Sequence, residues 1–407
     1  MEHKLNLKLG NDNGNSEHDL VIEGNLIAQA NVMSKVRKAP NVEELNNKLF
    51  ISHIEKNLIV DVVSDEVKTG TYICGDYALK SGETVRTIPI GYDNDKANSE
   101  IVMVNTLANI AGYAVKKVFA ENEDDKDMKI NVNVDMTTAL PISQYSKAKA
   151  NEFANRFMNK KHFVNVSTPN GKIPVEIEFD FVKVIPEGIT TVFALTNEDD
   201  AFFKKHNDFV EKFYESDTNK SFDGVYTNLD KTYFEGKRIL HIAIGEGTTE
   251  YPITEGKAFN PNFIKGSNNG LGHAINKSIE EFKEEVGQTS LTRQKYSDIL
   301  KDKNHKFYPL AKDIIDIPIE EQAEEIFQTA KTEIDRANNE IDIIVVYGGG
   351  SILMRDALEP KLRNICKSAK INLFYVDEKD AVSLEAKGLY NFTTSKIFAQ
   401  VKKVNKK

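Results

Sequence analysis

Two cysteines, Cys74 and Cys366, are all that this chain of 407 residues contains. They stand far apart, which excludes a disulfide framework and a zinc ribbon. The histidines, His3, His18, His53, His162, His206, His241, His273 and His305, are scattered, and no two have metal-ligand spacing. Proline is sparse at 11 residues, and with 40% hydrophobic and 28% charged residues the composition is that of a folded chain, not a disordered one. No stretch approaches the roughly 20 apolar residues of a membrane span. The opening "MEHKLNLKLG" lacks the apolar core of a signal peptide, so the expectation is a cytoplasmic protein with no membrane partner. A basic excess is missing too: the net charge of −9 disfavours direct binding to nucleic acid, because an acidic surface is repelled by phosphate. The tail "KIFAQVKKVNKK" is the exception, and reads as a solvated helix end followed by a frayed terminus.

The length suits about two domains. "HKLNLKLGNDNGNSEHDLVIEGNLI" alternates apolar and polar residues around an Asn/Gly turn, the pattern of a β-hairpin. "NLIVDVV" and "GTYICGDYAL" continue as strands, and an apolar face predicts a helix from about Ser99 to Phe119. "ENEDDKD" reads as a loop, "KINVNVDMTTALPIS" as a strand and "KAKANEFANRFM" as a helix. "FVNVSTPNGKIPVEIEFDFVKVIPEG" is a second hairpin whose long strand ends at Pro186. Later come a helix over Ala201 to Glu215, a loop "SDTNKSFDG", helices over about Gly272 to Val286 and around "EEQAEEIFQTAKTEIDRA", and the strand "IDIIVVY" running into "GGGS". Helix, strand "INLFYV" and a last helix close the chain. Hairpins mixed with helices on strands predict a mixed α/β architecture.

The pattern also repeats. "KLGNDNGNSEHDLVIEG" and "IAIGEGTTEYPITEG" are both hairpins with a polar glycine turn closing on Glu-Gly, so two related halves facing each other are expected. Such turns point successive backbone N–H groups into one concavity and bind anions, with Asn15, Ser16, Thr248 and Thr249 as further donors. Either turn alone could equally be an ordinary hairpin. No Walker loop occurs, and "GLGHAI" is too short for a dinucleotide fingerprint. In "IDIIVVYGGGSILMRDAL" a buried strand delivers three glycines to a helix N-terminus, where bare backbone can lie against a ligand ring and the helix dipole favours anions. Asp12 could hold a magnesium ion through its waters or be a turn aspartate. Glu187 could orient a water for attack on phosphate or be a structural turn residue.

In this order the segments resemble the actin-like ATPases, relatives of sugar kinases and chaperone ATPases, and within them the ParM-type filament proteins that segregate bacterial plasmids. "LGNDNGNSE" looks like the first phosphate motif, "IGEGTTEYPITEG" like the second and "VVYGGGSILMRDAL" like the adenosine motif. "DMTTALPIS" and "VKVIPEGI" look like the strand ends before the hinge, and "EAKGLYNF" like the second hinge segment. The resemblance implies an actin-like fold with two related α/β domains and mixed sheets around a nucleotide cleft. Domain I would span 1–186, completed by a C-terminal helix over 387–407, and domain II 187–386. It also implies ATP or GTP with Mg2+ as cofactors. Asp12, Asn13, Gly14, Asn15 and Ser16 would hold phosphate, with Asp12 at the metal. Gly245, Glu246, Gly247, Thr248 and Thr249 would hold phosphate from the other side, and Glu187 would align the hydrolytic water. Gly348, Gly349, Gly350 and Ser351 would pack on the nucleoside, aided by Gly270 and Gly272.

Two departures matter. Where the family has an acid two residues before the first glycine of the second motif, this chain has Ala243, and Glu246 in the turn is not placed to replace it. Slow hydrolysis is therefore expected, since phosphoryl transfer depends on positioning and charge neutralisation. The base usually found beyond the first turn is missing from "SEHDLVI", where Asp19 stands near its place. The implied partners are further copies of the chain in a helical polymer and a DNA-binding adaptor of ParR type. A small-molecule kinase of the same superfamily would need a substrate pocket for which no insert stands out. A chaperone-type ATPase would need a peptide-binding domain, and only about one helix is expected after "EAKGLYNF". A nucleotide-gated scaffold that barely hydrolyses is the alternative that Ala243 favours.

Overall fold

The computed structural model describes residues 2–40, 46–91, 95–121, 128–158, 160–216 and 226–405, with the backbone alone at 214–216. The loops expected at "ENEDDKD" and "SDTNKSFDG" fall almost wholly outside the described residues. Two sheets organise the chain. In the ten-stranded sheet, strand Glu2–Asn13 lies parallel to Lys129–Leu140, which lies parallel to Gly171–Pro186. The hairpin strands Glu17–Ile22 and Asn25–Ala30 extend one side, and Lys161–Thr168, Ile59–Ser64 and Val67–Cys74 the other. Leu7, Leu9, Val132, Val134 and Ile177 alternate toward the apolar face of helix Glu100–Glu121, where Val102, Leu107, Ile110, Ala111 and Val115 are buried at helical spacing.

The seven-stranded sheet is built around Arg238–Ile244. Ile343–Tyr347 runs parallel beside it, with Asn372–Tyr375 parallel beyond. Thr249–Glu250 and Ile253–Glu255 pair with it antiparallel. All five residues of Ile343–Tyr347 are buried, as a parallel strand covered on both faces requires.

The chain returns to the first sheet at its end. Helix Leu384–Thr393 lies on strand Glu2–Asn13, and Thr393 Oγ1 donates to Leu9 O at 3.0 Å. Gly10 makes this approach possible, since a Cβ there would stand 2.8 Å from the Leu389 carbonyl carbon. The two sheets, their helices and the mixed strand directions are the architecture that the resemblance implies.

Several local expectations differ from the structure. "GDYAL" is not strand but the short helix Gly75–Lys80; Gly75 turns the chain with φ of 62°, and the Asp76 carboxylate accepts from Ala30 N at 3.1 Å. The helix around "EEQAEEIFQTAKTEIDRA" begins much earlier and runs Tyr308–Arg336. Pro318 hides that continuity, but burial of Ala311, Ile315, Ile319, Ala323, Ile326, Ala330 and Ile334 holds the helix across it. Helix Arg293–Lys301 was not predicted, although Thr292 caps it and Tyr296, Ile299 and Leu300 are buried at helical spacing. The last helix is two, Leu384–Thr393 and Lys396–Asn405. The second docks through Phe398, buried against Phe181 and Phe392, and through Lys402, which pairs with Asp135 and Asp180 at 2.6 and 2.5 Å, while its last residues, Lys403 to Asn405, are exposed as a solvated helix end. Residues 406 and 407 lie outside the described residues.

Candidate functional site

A cavity of about 690 Å3 opens between the two sheets. Asp12, Gly14, Asn15 and Ser16 line it from the first turn, and Gly245, Glu246, Gly247 and Thr248 from the second. Glu187 and Gly348, Gly349 and Gly350 line it as well. The turns nearly touch: a Cβ on Gly247 would stand 3.3 Å from Asn15 Nδ2, which itself donates to Pro89 O at 2.9 Å. Backbone donors of both turns and the N-terminus of helix Gly349–Ala369 thus converge on one space, a setting that favours an anion. Leu271, Ile275, Leu300 and Tyr308 make another part of the wall apolar and aromatic.

Five of the expected residues support the wall from behind. Asn13 is buried and donates to Thr106 Oγ1 at 3.3 Å. Thr249 is buried and donates to Asn269 O. Ser351 closes the first turn of its helix by donating to Gly348 O at 2.8 Å. Gly270 and Gly272 let the start of helix Leu271–Val286 lie against the second turn, where Gly272 N donates to Glu246 O at 2.8 Å. The three adjacent glycines divide their work. Gly348 has φ of 93°, and a Cβ on it would stand 3.0 Å from the Ile244 carbonyl carbon. A Cβ on Gly350 would stand 2.8 Å from Gly245 O, whereas Gly349 faces open space. Two of them therefore answer to contact with the end of strand Arg238–Ile244 and the turn after it.

The deep end of the cavity is crowded with acids. Burial raises the pKa of Asp12 to about 6, the nearby Lys96 charge opposing and the Glu187 charge adding. Asp19 lines the cavity at 3% exposure, and burial pushes its carboxyl well above the usual range. Burial also raises Glu246, against the pull of Arg293, whose Nε lies 3.2 Å from Glu246 Oε1. Asp19 Oδ1 and Glu246 Oε2 are buried without a hydrogen-bond partner. Buried carboxylates in this number are costly without a compensating cation, which fits a hydrated divalent ion beside Asp12. Among the described residues no group of three or more Asp, Glu, His or Cys forms a cage of direct ligands, so contact through water suits the site better.

Sequence reasoning missed a buried cation among these acids. Lys96, far along the chain and 2% exposed, lines the cavity with its Nζ 2.5 Å from Glu187 Oε1. Burial works against its charge, but the carboxylates of Glu187 and Asp12 outweigh this and raise its pKa. No local pattern in "DNDKANSE" marks it. Glu385 was also missed as a side chain. It accepts from Gly188 N at 3.1 Å and Thr191 Oγ1 at 2.8 Å, tying together the two places where the chain passes between the sheets. Burial, then the Asp12 charge, pushes its pKa up to about 8. Glu250 stands opposite Ala243 in the hairpin ladder. Burial, then the Glu187 charge, pushes it up to about 8.

No curated protein sequence matches the chain. Residues 10–189 match the family described as actin like proteins N terminal domain. Among solved structures, the actin-like protein Alp7A superposes with a TM-score of 0.67 at 16% identity, covering 99% of this chain and 100% of its own. A 15-stranded ParM filament from Clostridium botulinum gives 0.63 at 17% identity, covering 96% and 99%. Bacillus thuringiensis ParM with AMPPNP gives 0.57 at 14% identity, covering 97% and 99%. The chain as a whole has the actin-like fold.

Proposed function

We propose that the chain is a nucleotide-gated, filament-forming protein of bacterial cytoplasm, with ATP or GTP and Mg2+ bound in the cavity between its two turns. The observation that carries this reading is the convergence of both glycine turns, a helix N-terminus and Asp12 on one cavity with an apolar wall section beside it. Phosphates fit the donor-rich end and a nucleoside the apolar part. Mg2+ would sit on water beside Asp12, where it would neutralise phosphate charge. Glu187 would orient the attacking water, held in place by Lys96. Residues 1–186 and 387–407 would move as one domain and 187–386 as the other, about crossings that Glu385 ties together.

Closure would favour head-to-tail contact between copies, and a heterologous contact that does not close gives a filament. The solved ParM filament and the AMPPNP-bound ParM support this by analogy of fold. No described helix is long and apolar enough to cross a membrane. The acidic chain would reach plasmid DNA through a ParR-type adaptor. Ala243 makes hydrolysis slow, so a scaffold that turns over little nucleotide is the neighbouring reading.

Sedimentation with Mg2+ and ATP, GTP, their diphosphates or no nucleotide, with released phosphate assayed in the same tubes, tests the proposal. Nucleotide-dependent pelleting with slow phosphate release is expected. Tight nucleotide binding with no pelleting under any condition would overturn the filament reading in favour of a small-molecule kinase.

A further inference from the structure

Ala243 leaves its own strand without an acid, but the adjoining strand carries one. Ala243 and Glu250 are partners in the antiparallel ladder. Their side chains therefore leave the same face of the sheet, with Cβ atoms about 4.5–5.5 Å apart. On its other side Glu250 pairs with Gly266, where a Cβ would stand 3.2 Å from Glu250 Cδ and closer still to Oε2. A methyl group on one neighbour and a hydrogen on the other clear the space that the carboxylate fills.

Glu250 is 1% exposed and does not itself line the cavity. Its Oε2 accepts from the Ile142 amide at 3.2 Å, across from the other sheet; Oε1 is buried with no hydrogen bond of its own, although the Thr248 hydroxyl, which lines the cavity, is near enough to the carboxylate to pull its pKa down. An ionisable group held this way is costly unless something else uses it. The charges of Glu187 and Lys96, both cavity residues, act on it directly.

The first turn has the same design. Asp12 pairs with Asp19 across its ladder, at the same separation along the chain as Ala243 and Glu250. Asp12 thus corresponds to Ala243, and Asp19 to Glu250. Both turns place a buried acid on the strand that leaves them.

Resting on the reading of the cavity as a metal–nucleotide site, we propose that Glu250 is a positioning residue. From behind Ala243 it supplies, through water and beside Glu187, the negative charge that the second turn's incoming strand lacks. Ala243 is then a clearing for Glu250 as well as a lost acid, and the hydrolysis that remains depends on Glu250.

The competing role, a clasp for the Ile142 amide, is separated by Glu250→Gln, whose amide oxygen still accepts that bond. The experiment is Mn2+ titration by electron paramagnetic resonance of the full chain with a non-hydrolysable ATP analogue, beside nucleotide binding without metal. Glu250→Gln is expected to weaken Mn2+ binding about tenfold or more while metal-free nucleotide binding is unchanged. Adding Ala243→Asp to that variant should recover Mn2+ affinity by restoring an acid on the neighbouring strand. Glu250→Asp, which preserves the charge, should stay closer to the unsubstituted chain than Gln does. Unchanged Mn2+ affinity in Glu250→Gln, or a loss that Ala243→Asp does not recover, would overturn the proposal and leave Glu250 a clasp. Failure of the unsubstituted chain to bind nucleotide at all would instead sink the metal–nucleotide reading, and this inference with it.

Discussion

In the first glycine-turn hairpin Asp12 faces Asp19 across the ladder; in the second, Ala243 faces Glu250. Both turns reach the same cavity, yet the facing positions across the first ladder are two acids that line it, and those across the second are a methyl group and an acid that does not. Their support differs as well. The first strand lies in a long parallel array under helix Leu384–Thr393, with Gly10 beneath the helix backbone. The second is pressed against Gly348 and Gly350 at the start of another helix. The charge of each turn and its mechanical support are set by different residues, so they can be changed separately.

The largest effect should come from the carboxylate that stands between the two turns. Glu187→Gln removes its charge and is expected to slow phosphate release by about 100-fold, with nucleotide affinity little changed; equal rates would remove Glu187 from the chemistry. Gly348→Ala attacks the support of the second turn alone. A left-handed φ and a Cβ against Ile244 backbone should cost about 1–3 kcal/mol in urea unfolding, against well under that for Gly349→Ala, which meets open space. Should the two cost the same, the close approach at Gly348 is not what holds the strand.

Ala243→Asp makes the second turn more like the first, and is expected to speed phosphate release about tenfold. An unchanged rate would mean that the missing acid does not limit hydrolysis. The smallest effect concerns the acids themselves. Folded pKa values raised to about 6 for Asp12 and about 8 for Glu250 and Glu385 mean that the folded, nucleotide-free protein binds protons more tightly than the unfolded chain. Their stabilising contribution is complete below the ordinary carboxylate range and is lost as pH rises through 6 and then 8. The thermal midpoint should fall by on the order of 5 °C between about pH 5 and pH 9, and less in Glu250→Gln. A flat profile would show these groups ionised already.

Much of this was legible in the residues. Alternation and turn chemistry marked both hairpins, and helical spacing marked Glu100–Glu121. The glycine turns and Glu187 come together in one cavity because each ends an element whose pattern is local. Lys96 was not legible, since its meaning arises only where its Nζ meets Glu187. Glu250 was half legible: the matching spacings 12 to 19 and 243 to 250 were in the sequence, but the empty neighbour at Gly266 was not. Pro318 concealed a long helix because a local donor is lost there while burial on one face is nonlocal.

By itself the sequence determined most of the elements and the two related turns, because periodicity and turn preferences act over a few residues. Only the tertiary structure decided which charges meet. It set Lys96 against Glu187, tied Glu385 to Gly188 and Thr191, and placed Glu250 beside Ala243 with its carboxylate on the Ile142 amide. Burial and Coulomb interaction depend on distance in space, which separation along the chain does not encode.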